Sequence, residues 1–163
     1  MTGEKTAEEV IRHTGIAGID CIPANMTLLS ANKAVLMDTM HPQQTRLKSA
    51  IAEVAEEYDY CIIDNAPDEN MSVINALAAG DDVIIPVKVD QFTFDGVDEM
   101  IQCVRQVRDN FNERLTFRGC VITSYRGNEV NVQGAAYLKQ MEKYRLMQTH
   151  ISWTAKVDES TFA

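Results

Sequence analysis

The sequence predicts an α/β fold with a mostly parallel sheet flanked by helices. Strand-like apolar runs alternate with helix-like segments along the chain, which is the order typical of parallel strands joined by helical crossovers. The apolar runs lack polar alternation, and this indicates strands that are buried on both faces. A length of 163 residues, of which 45% are hydrophobic and 24% charged, suits a single α/β domain over residues 1–163.

The chain begins with a predicted short helix over residues 6–11. Thr6 is its N-cap, and Glu9 three residues later completes a capping-box pattern. Apolar residues at helical spacing predict four further helices, over residues 45–58, 71–79, 94–111 and 130–147. Apolar runs predict the strands, over residues 19–23, 58–64, 82–87, 115–123 and 150–153. We expect the run over 58–64, which ends on Asp64, to be a strand buried on both faces.

Composition and charge exclude several classes of function. No apolar run approaches the ~18 residues of a membrane-spanning helix. The four cysteines have no CxxC spacing, which argues against a structural zinc site or a disulfide framework and favours a reducing cytosol. The formal net charge of −9 argues against wrapping nucleic acid by bulk attraction. Residues 1–98 carry −11 and residues 99–163 carry +2, an asymmetry that fits either an acidic metal-binding half or ordinary solvated surface.

Candidate ligand-binding residues follow the predicted strands, because parallel α/β sheets bind ligands at the carboxyl ends of their strands. Asp64 directly follows the apolar run over 61–63, so its carboxylate is a candidate for holding magnesium beside a nucleotide phosphate, directly or through water. An aspartate at this place is also an ordinary loop residue. The loop over 123–126 follows another strand, and it is either part of a ligand site or a plain strand-to-helix turn.

The stretch YDYCIIDNAPDENMSVINALAAGDDVIIPVKVDQFTFDGVDEMI resembles the Walker B region of ParA/Soj-type partition ATPases. In that family a Tyr-Asp-Tyr lead-in, an apolar strand, an aspartate and a proline-bearing turn come first. A helix with an Asn-Ala-Leu segment follows, then a strand with proline and a helix start with Phe and Gly. The matching positions are Tyr58-Asp59-Tyr60, Asp64, Pro67, Asn75-Ala76-Leu77, Pro86, Phe92 and Gly96. The similarity extends to residues 22–25 and 118–123, and so covers nearly all of the chain.

The resemblance implies a Rossmann-like P-loop NTPase fold, which we expect to be incomplete. P-loop proteins cradle phosphates with GxxxxGK[ST] or a lysine-rich variant of it, and none of the eight glycines here is followed by lysine. We therefore expect a carboxyl-terminal part of a ParA-like ATPase domain that lacks the Walker A loop. Such a chain is expected to be inactive alone in ATP hydrolysis, and to self-associate through an uncovered sheet edge.

The resemblance also implies site residues and partners. Asp64 matches the Walker B carboxylate, a catalytic residue that positions magnesium-bound water, and the loops with Pro67, Thr123, Ser124 and Arg126 flank the nucleotide in the family. ATP and Mg²⁺ are the ligands expected of the full-length parent. The expected partners are a second copy in a homodimer, a ParB-like protein and nonspecific DNA, in a bacterial cytoplasmic, nucleoid-associated protein without membrane contact. Weak candidates for DNA contact are Arg105, Arg108, Arg114 and Arg118.

Other interpretations stay open. The alternative hypothesis is a non-catalytic interaction module that keeps the fold without binding nucleotide. The missing phosphate loop favours this alternative. The related MinD and nitrogenase iron-protein branches are disfavoured, because this chain shows neither an amphipathic membrane helix nor cysteines in loops. For the four arginines, the simpler interpretation is an exposed helix face paired with Asp109 and Glu113.

Overall fold

The structure is a computed structural model that describes residues 2–66, 68, 70–89 and 93–160, and the side chains of residues 93–95 and 158 lie outside this description. The chain forms two compact units, Met1–Asp81 with Arg105–Leu115 and Asp82–Val104 with Thr116–Ala163. Helices and parallel strands make it an α/β fold, as the sequence predicts. That the two units form one domain stays a prediction.

The described part of the first unit consists of helices and a short antiparallel ribbon. The helices are α1 (Ala7–Val10), α2 (Leu28–Met37), α3 (Arg46–Ala52) and α4 (Met71–Ala79). The ribbon pairs β1 (Arg12–His13) with β2 (Asp20–Cys21). The predicted capping box opens α1: the Glu9 N–H donates to Thr6 Oγ1 at 3.3 Å, and the Thr6 N–H donates to the Glu9 carboxylate at 2.9 Å.

The amide side chain of Asn75 ties the start of α3 to α4. Asn75 is fully buried. Its Oδ1 accepts a hydrogen bond from the Leu47 N–H at 3.1 Å, and its Nδ2 donates to the carbonyls of Gln43 and Met71 at 2.8 and 2.9 Å. Because a buried amide is costly unless its polar atoms are paired, these three bonds fix the chain where it enters α3.

The second unit is built around a three-stranded parallel sheet in the order β3-β4-β5. The strands are β3 (Asp82–Lys88), β4 (Thr116–Tyr125) and β5 (His150–Ser152). α5 (Thr93–Asn110) joins β3 to β4, α6 (Glu129–Gln140) joins β4 to β5, and α7 (Ala155–Glu159) follows the last strand. No helix within the described ranges combines the length and the hydrophobicity needed to cross a bilayer.

Apolar side chains of the strands, α5 and α6 form the core of the second unit. The buried members of this core are Ile85, Val87, Val89, Val97, Ile101, Cys120, Ile122, Leu138 and Tyr144. A bulge interrupts the pairing of β3 with β4 at Gly119, whose φ is 136°. A Cβ at this position would collide with the Arg145 carbonyl, so the bulge requires glycine.

The structure confirms most of the elements predicted after residue 70. The helix 71–79 has the predicted bounds, and the predictions over 82–87, 94–111, 115–123 and 150–153 each match a strand or helix to within two residues. The helix predicted over 130–147 is shorter, because α6 ends at Gln140 and a single 3-10 turn (Glu142–Tyr144) follows.

The buried strand predicted over residues 58–64 is wrong. The segment pairs with no strand among the described residues, and Tyr60 and Ile62 expose 88% and 93% of their surface. A strand exists only where a neighbour supplies hydrogen-bond partners. The apolar composition of the segment predicted a buried strand, but without a partner strand in the described part of the chain the segment is neither a strand nor buried.

Other predictions before residue 58 were only partly right. The helix predicted over 45–58 is divided into α3 and a 3-10 turn (Ala55–Glu57), and the strand predicted over 19–23 is reduced to the two residues of β2. The sequence analysis missed α2 and β1.

The exposure of Cys61 allows a direct test of this correction. Cys21 and Cys61 are exposed, Cys103 and Cys120 are buried, and burial raises the pKa of the Cys120 thiol to about 11. Because the thiolate is the reactive form, we expect iodoacetamide to label Cys61 more than roughly tenfold faster than Cys120 in the native chain. Peptide mass spectrometry gives both rates, and labelling in denaturant, where all four should react alike, is the control. Slow labelling of Cys61 would instead support the buried strand.

Candidate functional site

The carboxyl ends of β3, β4 and β5 lie at one edge of the parallel sheet. Lys88 at the end of β3 pairs with Thr123, and Ser152 at the end of β5 pairs with Tyr125. Parallel α/β sheets bind ligands at this edge. It brings together the residues predicted on and after β4: Thr123, Ser124 and Arg126.

Ser124 has a backbone conformation that residues other than glycine rarely adopt. Its φ is 53°, in the left-handed region. Such a conformation costs on the order of 1–3 kcal/mol, and it persists where the surroundings hold it in place. Gly127, with a φ of 66°, then directs the chain from β4 into α6. The strained residue thus lies at the predicted site.

The side chain of Asn131 holds the turn that follows β4. Asn131 is 7% exposed, and its Oδ1 accepts a hydrogen bond from the Arg126 N–H at 2.7 Å. Its Nδ2 lies 3.5 Å from the Val89 carbonyl, so the same amide contacts the chain just beyond β3. The Asn131 N–H donates in turn to the side chain of Asn128, the N-cap of α6, at 2.9 Å. One buried amide therefore connects the ends of two strands to a helix start.

Aromatic rings and a guanidinium group form an open surface beside this turn. The Arg126 guanidinium lies 4.4 Å from the centre of the Trp153 ring. The backbone N–H of Trp153 donates a hydrogen bond to the Tyr125 carbonyl at 2.9 Å. The rings of Tyr125 and His150 approach to 4.2 Å between centroids at 42°. These side chains line a concavity of about 590 Å³. We call the four residues the edge platform.

The edge platform has the chemistry to stack a planar aromatic ring. A guanidinium over an aromatic face contributes about 0.5–1 kcal/mol at exposed sites. Stacking of a nucleobase on an aromatic side chain contributes about 1–3 kcal/mol. The arrangement therefore suits a flat heterocycle better than a compact polar ligand.

Asp64 lies in the first unit, at the end of the segment 58–64, and its side chain is exposed. Asn70, six residues later, is the N-cap of α4, and its Oδ1 accepts from the N–H groups of Ser72 and Val73. Groups of three or more metal-ligating side chains do not occur among the described residues. Pro67 lies outside the described residues. The roles predicted for Asp64 and Pro67 stay predictions.

Two of the four arginines predicted for DNA contact are paired with carboxylates. Arg108 lies 2.8 Å from Asp109, and Arg118 lies 2.7 Å from Asp82. The pair of Arg108 with Asp109 agrees with the simpler interpretation, in which these arginines belong to an exposed helix face. The other two arginines are also exposed: Arg105 and Arg114. Their role in DNA binding stays a prediction.

Two histidine–aspartate pairs in the first unit were missed by the sequence analysis. His13 Nδ1 lies 2.9 Å from Asp20, and His41 Nδ1 lies 3.0 Å from Asp38. The hydrogen bond of His13, and after it that of Tyr58, lowers the pKa of Asp20.

The region 153–159, which begins with Trp153, resembles the loop near the adenine in the ParA/Soj family. The sequence did not identify Asn131 as the support of the edge platform. Asn131 stands three residues after Asn128, the spacing of an N-cap side chain and the N–H that donates to it, but nothing in the sequence shows that the Asn131 side chain turns back to Arg126. Its contacts depend on the fold.

A family model described as an AAA domain matches residues 1–117. The sporulation initiation inhibitor protein Soj of Bacillus subtilis is 29% identical over 153 residues, which are 93% of this chain and 60% of Soj. The chain belongs to the ParA/Soj family of P-loop ATPases. The chromosome-partitioning ATPase Soj of Treponema pallidum is 29% identical over 125 residues, 77% of this chain and 49% of that protein.

A solved structure shares the fold of this ParA/Soj family member. Cobyrinic acid a,c-diamide synthase from Mycobacterium smegmatis, with bound ADP and magnesium, superposes with a TM-score of 0.87 at 23% identity. The match covers 94% of this chain and 62% of the synthase chain. The chain spans about 60% of the length of the curated relatives it matches.

Loss of the Asn131 amide tests whether it holds the edge platform. In Asn131→Ala the Arg126 N–H loses its acceptor, so we expect the turn to relax and the fluorescence of Trp153 to shift to the red. We expect the free energy of unfolding to fall by about 1–2 kcal/mol, the cost of one unpaired buried group. Gln133→Ala, which removes an exposed amide from the same helix, is the matched control. An Asn131→Ala spectrum identical to that of the control would contradict the role of the amide.

Proposed function

We propose that the chain provides the base-binding and magnesium-binding parts of a ParA-type partition ATPase. The observation that supports this most strongly is the edge platform, which stacks a guanidinium on an indole at the carboxyl edge of a parallel sheet. Membership of the ParA/Soj family gives the ligand class, an adenine nucleotide with Mg²⁺. The name of the Treponema relative, a chromosome-partitioning ATPase, gives the process.

The base of the nucleotide would bind at the turn after β4. In this proposal the ring inserts beside Trp153 and Arg126, while Thr123 and Ser124 present backbone groups to its edge. Ser124 has a left-handed φ, and the Asn131 side chain holds the N–H of Arg126 in the same turn. Such preorganisation reduces the entropy that binding would otherwise cost.

The metal would be held through Asp64. A carboxylate is a preferred ligand of Mg²⁺, which usually keeps several of its waters, and Asp64 would hold the ion by positioning one of these magnesium-bound waters. Pro67 would shape the turn behind the carboxylate. Asp68 adds a second carboxylate to the same turn and raises the local attraction for a cation.

The partners in this proposal are a second copy of the chain, nonspecific DNA and a ParB-like protein. Self-association is supported by the segment 58–64, which pairs with no strand among the described residues and exposes most of its side chains. DNA contact would involve Arg105, Arg108, Arg114 and Arg118, of which Arg108 and Arg118 lie beside the carboxylates of Asp109 and Asp82. The ParB-like partner would stimulate hydrolysis in the dimer.

A second candidate is a non-catalytic interaction module that binds no nucleotide. It is favoured by one specific observation, that none of the eight glycines is followed by the lysine of a phosphate loop. This candidate predicts that neither nucleosides nor nucleotides bind the edge platform.

Titration with adenosine and with ATP separates the two parts of the proposal. Because Trp153 is the only tryptophan, we expect adenosine to quench its fluorescence, and Arg126→Ala to weaken adenosine binding severalfold through loss of the cation–π contact. Arg118→Ala, an exposed arginine in the bulge of the same strand, should leave adenosine binding unchanged. Calorimetry with ATP should show tighter binding in Mg²⁺ than in EDTA, a difference that Asp64→Asn removes.

The outcomes are distinguishable. Adenosine binding without any effect of Mg²⁺ on ATP affinity would show that the role of Asp64 is wrong while the base site stands. Absence of binding by adenosine and ATP alike would contradict the proposal and support the interaction module.

A further inference from the structure

Helix α2 is apolar on both of its faces. Its inner face buries Val35 completely, and Asn32 on the same side accepts a hydrogen bond from the Ser72 hydroxyl of α4 at 2.6 Å. Its outer side exposes Leu36 and Met37 by 60% and 81%. A helix that lies between a core and water normally carries one apolar stripe. The second stripe has no counterpart among the described residues.

The exposed apolar residues of α2 form a continuous surface. At about 100° per residue, Leu29, Lys33, Leu36 and Met37 fall within an arc of roughly 100°, on the side away from the buried Val35. Two more exposed methionines stand within three residues of the helix ends in the sequence, and we call the group the α2 outer face: Met26, Leu29, Lys33, Leu36, Met37 and Met40. Methionine side chains adapt to different partners, and they are common at binding surfaces.

Lys33 is the one charged residue of the α2 outer face, in a chain whose formal net charge is −9. Residues 26–40, which contain the face, hold one cationic side chain and one carboxylate. The one carboxylate, Asp38, is compensated by Arg46 at 2.6 Å, and this hydrogen bond holds the pKa of Asp38 well below its usual range. Lys33, at the centre of the face, forms no ion pair within the described part of the chain.

These observations select the chemistry of the occupant. Two copies of α2 packed about a two-fold axis through the centre of the face would bring Lys33 against Lys33, which is unfavourable. A helix with leucine-type residues along one stripe and carboxylates at its margin complements both the apolar residues and the lysine. We propose that the α2 outer face binds an acidic amphipathic helix of a partner protein.

The test uses two synthetic helical peptides that share one leucine stripe at i, i+3, i+4 and i+7 spacing. The acidic peptide carries glutamates beside the stripe, and the basic peptide carries lysines at the same positions. Fluorescence anisotropy of each labelled peptide, titrated with the full chain at low and high salt, gives both affinities. We expect the acidic peptide to bind more tightly, with a preference that salt reduces.

Substitutions at the exposed face identify the contact. Leu36→Gln should weaken binding of the acidic peptide by roughly tenfold, because the leucine would be buried on binding. Lys33→Glu should reverse the preference in favour of the basic peptide. Val130→Gln, a change at an exposed apolar residue of α6, is the matched control and should alter neither affinity. Circular dichroism checks that each variant is folded.

The oligomeric state of the chain shows whether the α2 outer face binds a partner protein or a second copy of the same chain. Light scattering of the Leu36→Gln variant should give the same mass as the unaltered chain, whereas Ile62→Lys in the segment 58–64 should lower any self-association without changing peptide binding. A fall in mass for Leu36→Gln would show that a second copy occupies the face and would overturn the proposal. Equal binding of both peptides, or binding of neither, would overturn it as well.

Discussion

The parallel pairing of β4 between β3 and β5 is the constraint on which the candidate site depends. β4 is hydrogen-bonded on both sides, and its residues Cys120 and Ile122 are buried in the core of the second unit. A central strand fixed in this way determines where its neighbours end, because parallel ladders bring all carboxyl ends to one edge. The turn at Ser124, the indole of Trp153 and the N-terminus of α6 meet at this edge as a consequence of the pairing.

Two buried asparagine side chains, each hydrogen-bonded to the backbone, hold the loops that lead into helices. Asn131 joins the turn after β4 to the end of β3, and Asn75 in the first unit joins the entry of α3 to α4. Both are buried amides, and replacing either leaves donors or acceptors unpaired. The strained backbone conformation of Ser124 persists only where the surrounding turn is held in place, because it costs conformational energy. Rigid support with open aromatic and cationic groups is the arrangement expected of a binding site rather than of a plain connection.

Sequence patterns predicted the second unit, α1 and α4 well and the rest of the first unit poorly, for physical reasons. β3, α5 and β4 carry long apolar runs or stripes that match their burial, so periodicity located them. The run over 58–64 has the same composition, but burial depends on a pairing partner that composition does not reveal. α2 escaped prediction because it is apolar on both faces and shows no amphipathic contrast. Thr123, Ser124 and Arg126 are predicted site residues that neighbour one another in the sequence, whereas Trp153 and Asn131 reach them through tertiary contacts.

The most direct test of a nucleotide site at the carboxyl edge is a nuclear magnetic resonance map of ADP binding in the presence of Mg²⁺. Backbone amide shifts are recorded for the isotope-labelled chain with and without the nucleotide. The account predicts that the largest changes fall on residues 123–131 and 150–153, with the amides of α2 unchanged. Changes confined to other regions, or no changes at saturating ADP, would contradict it.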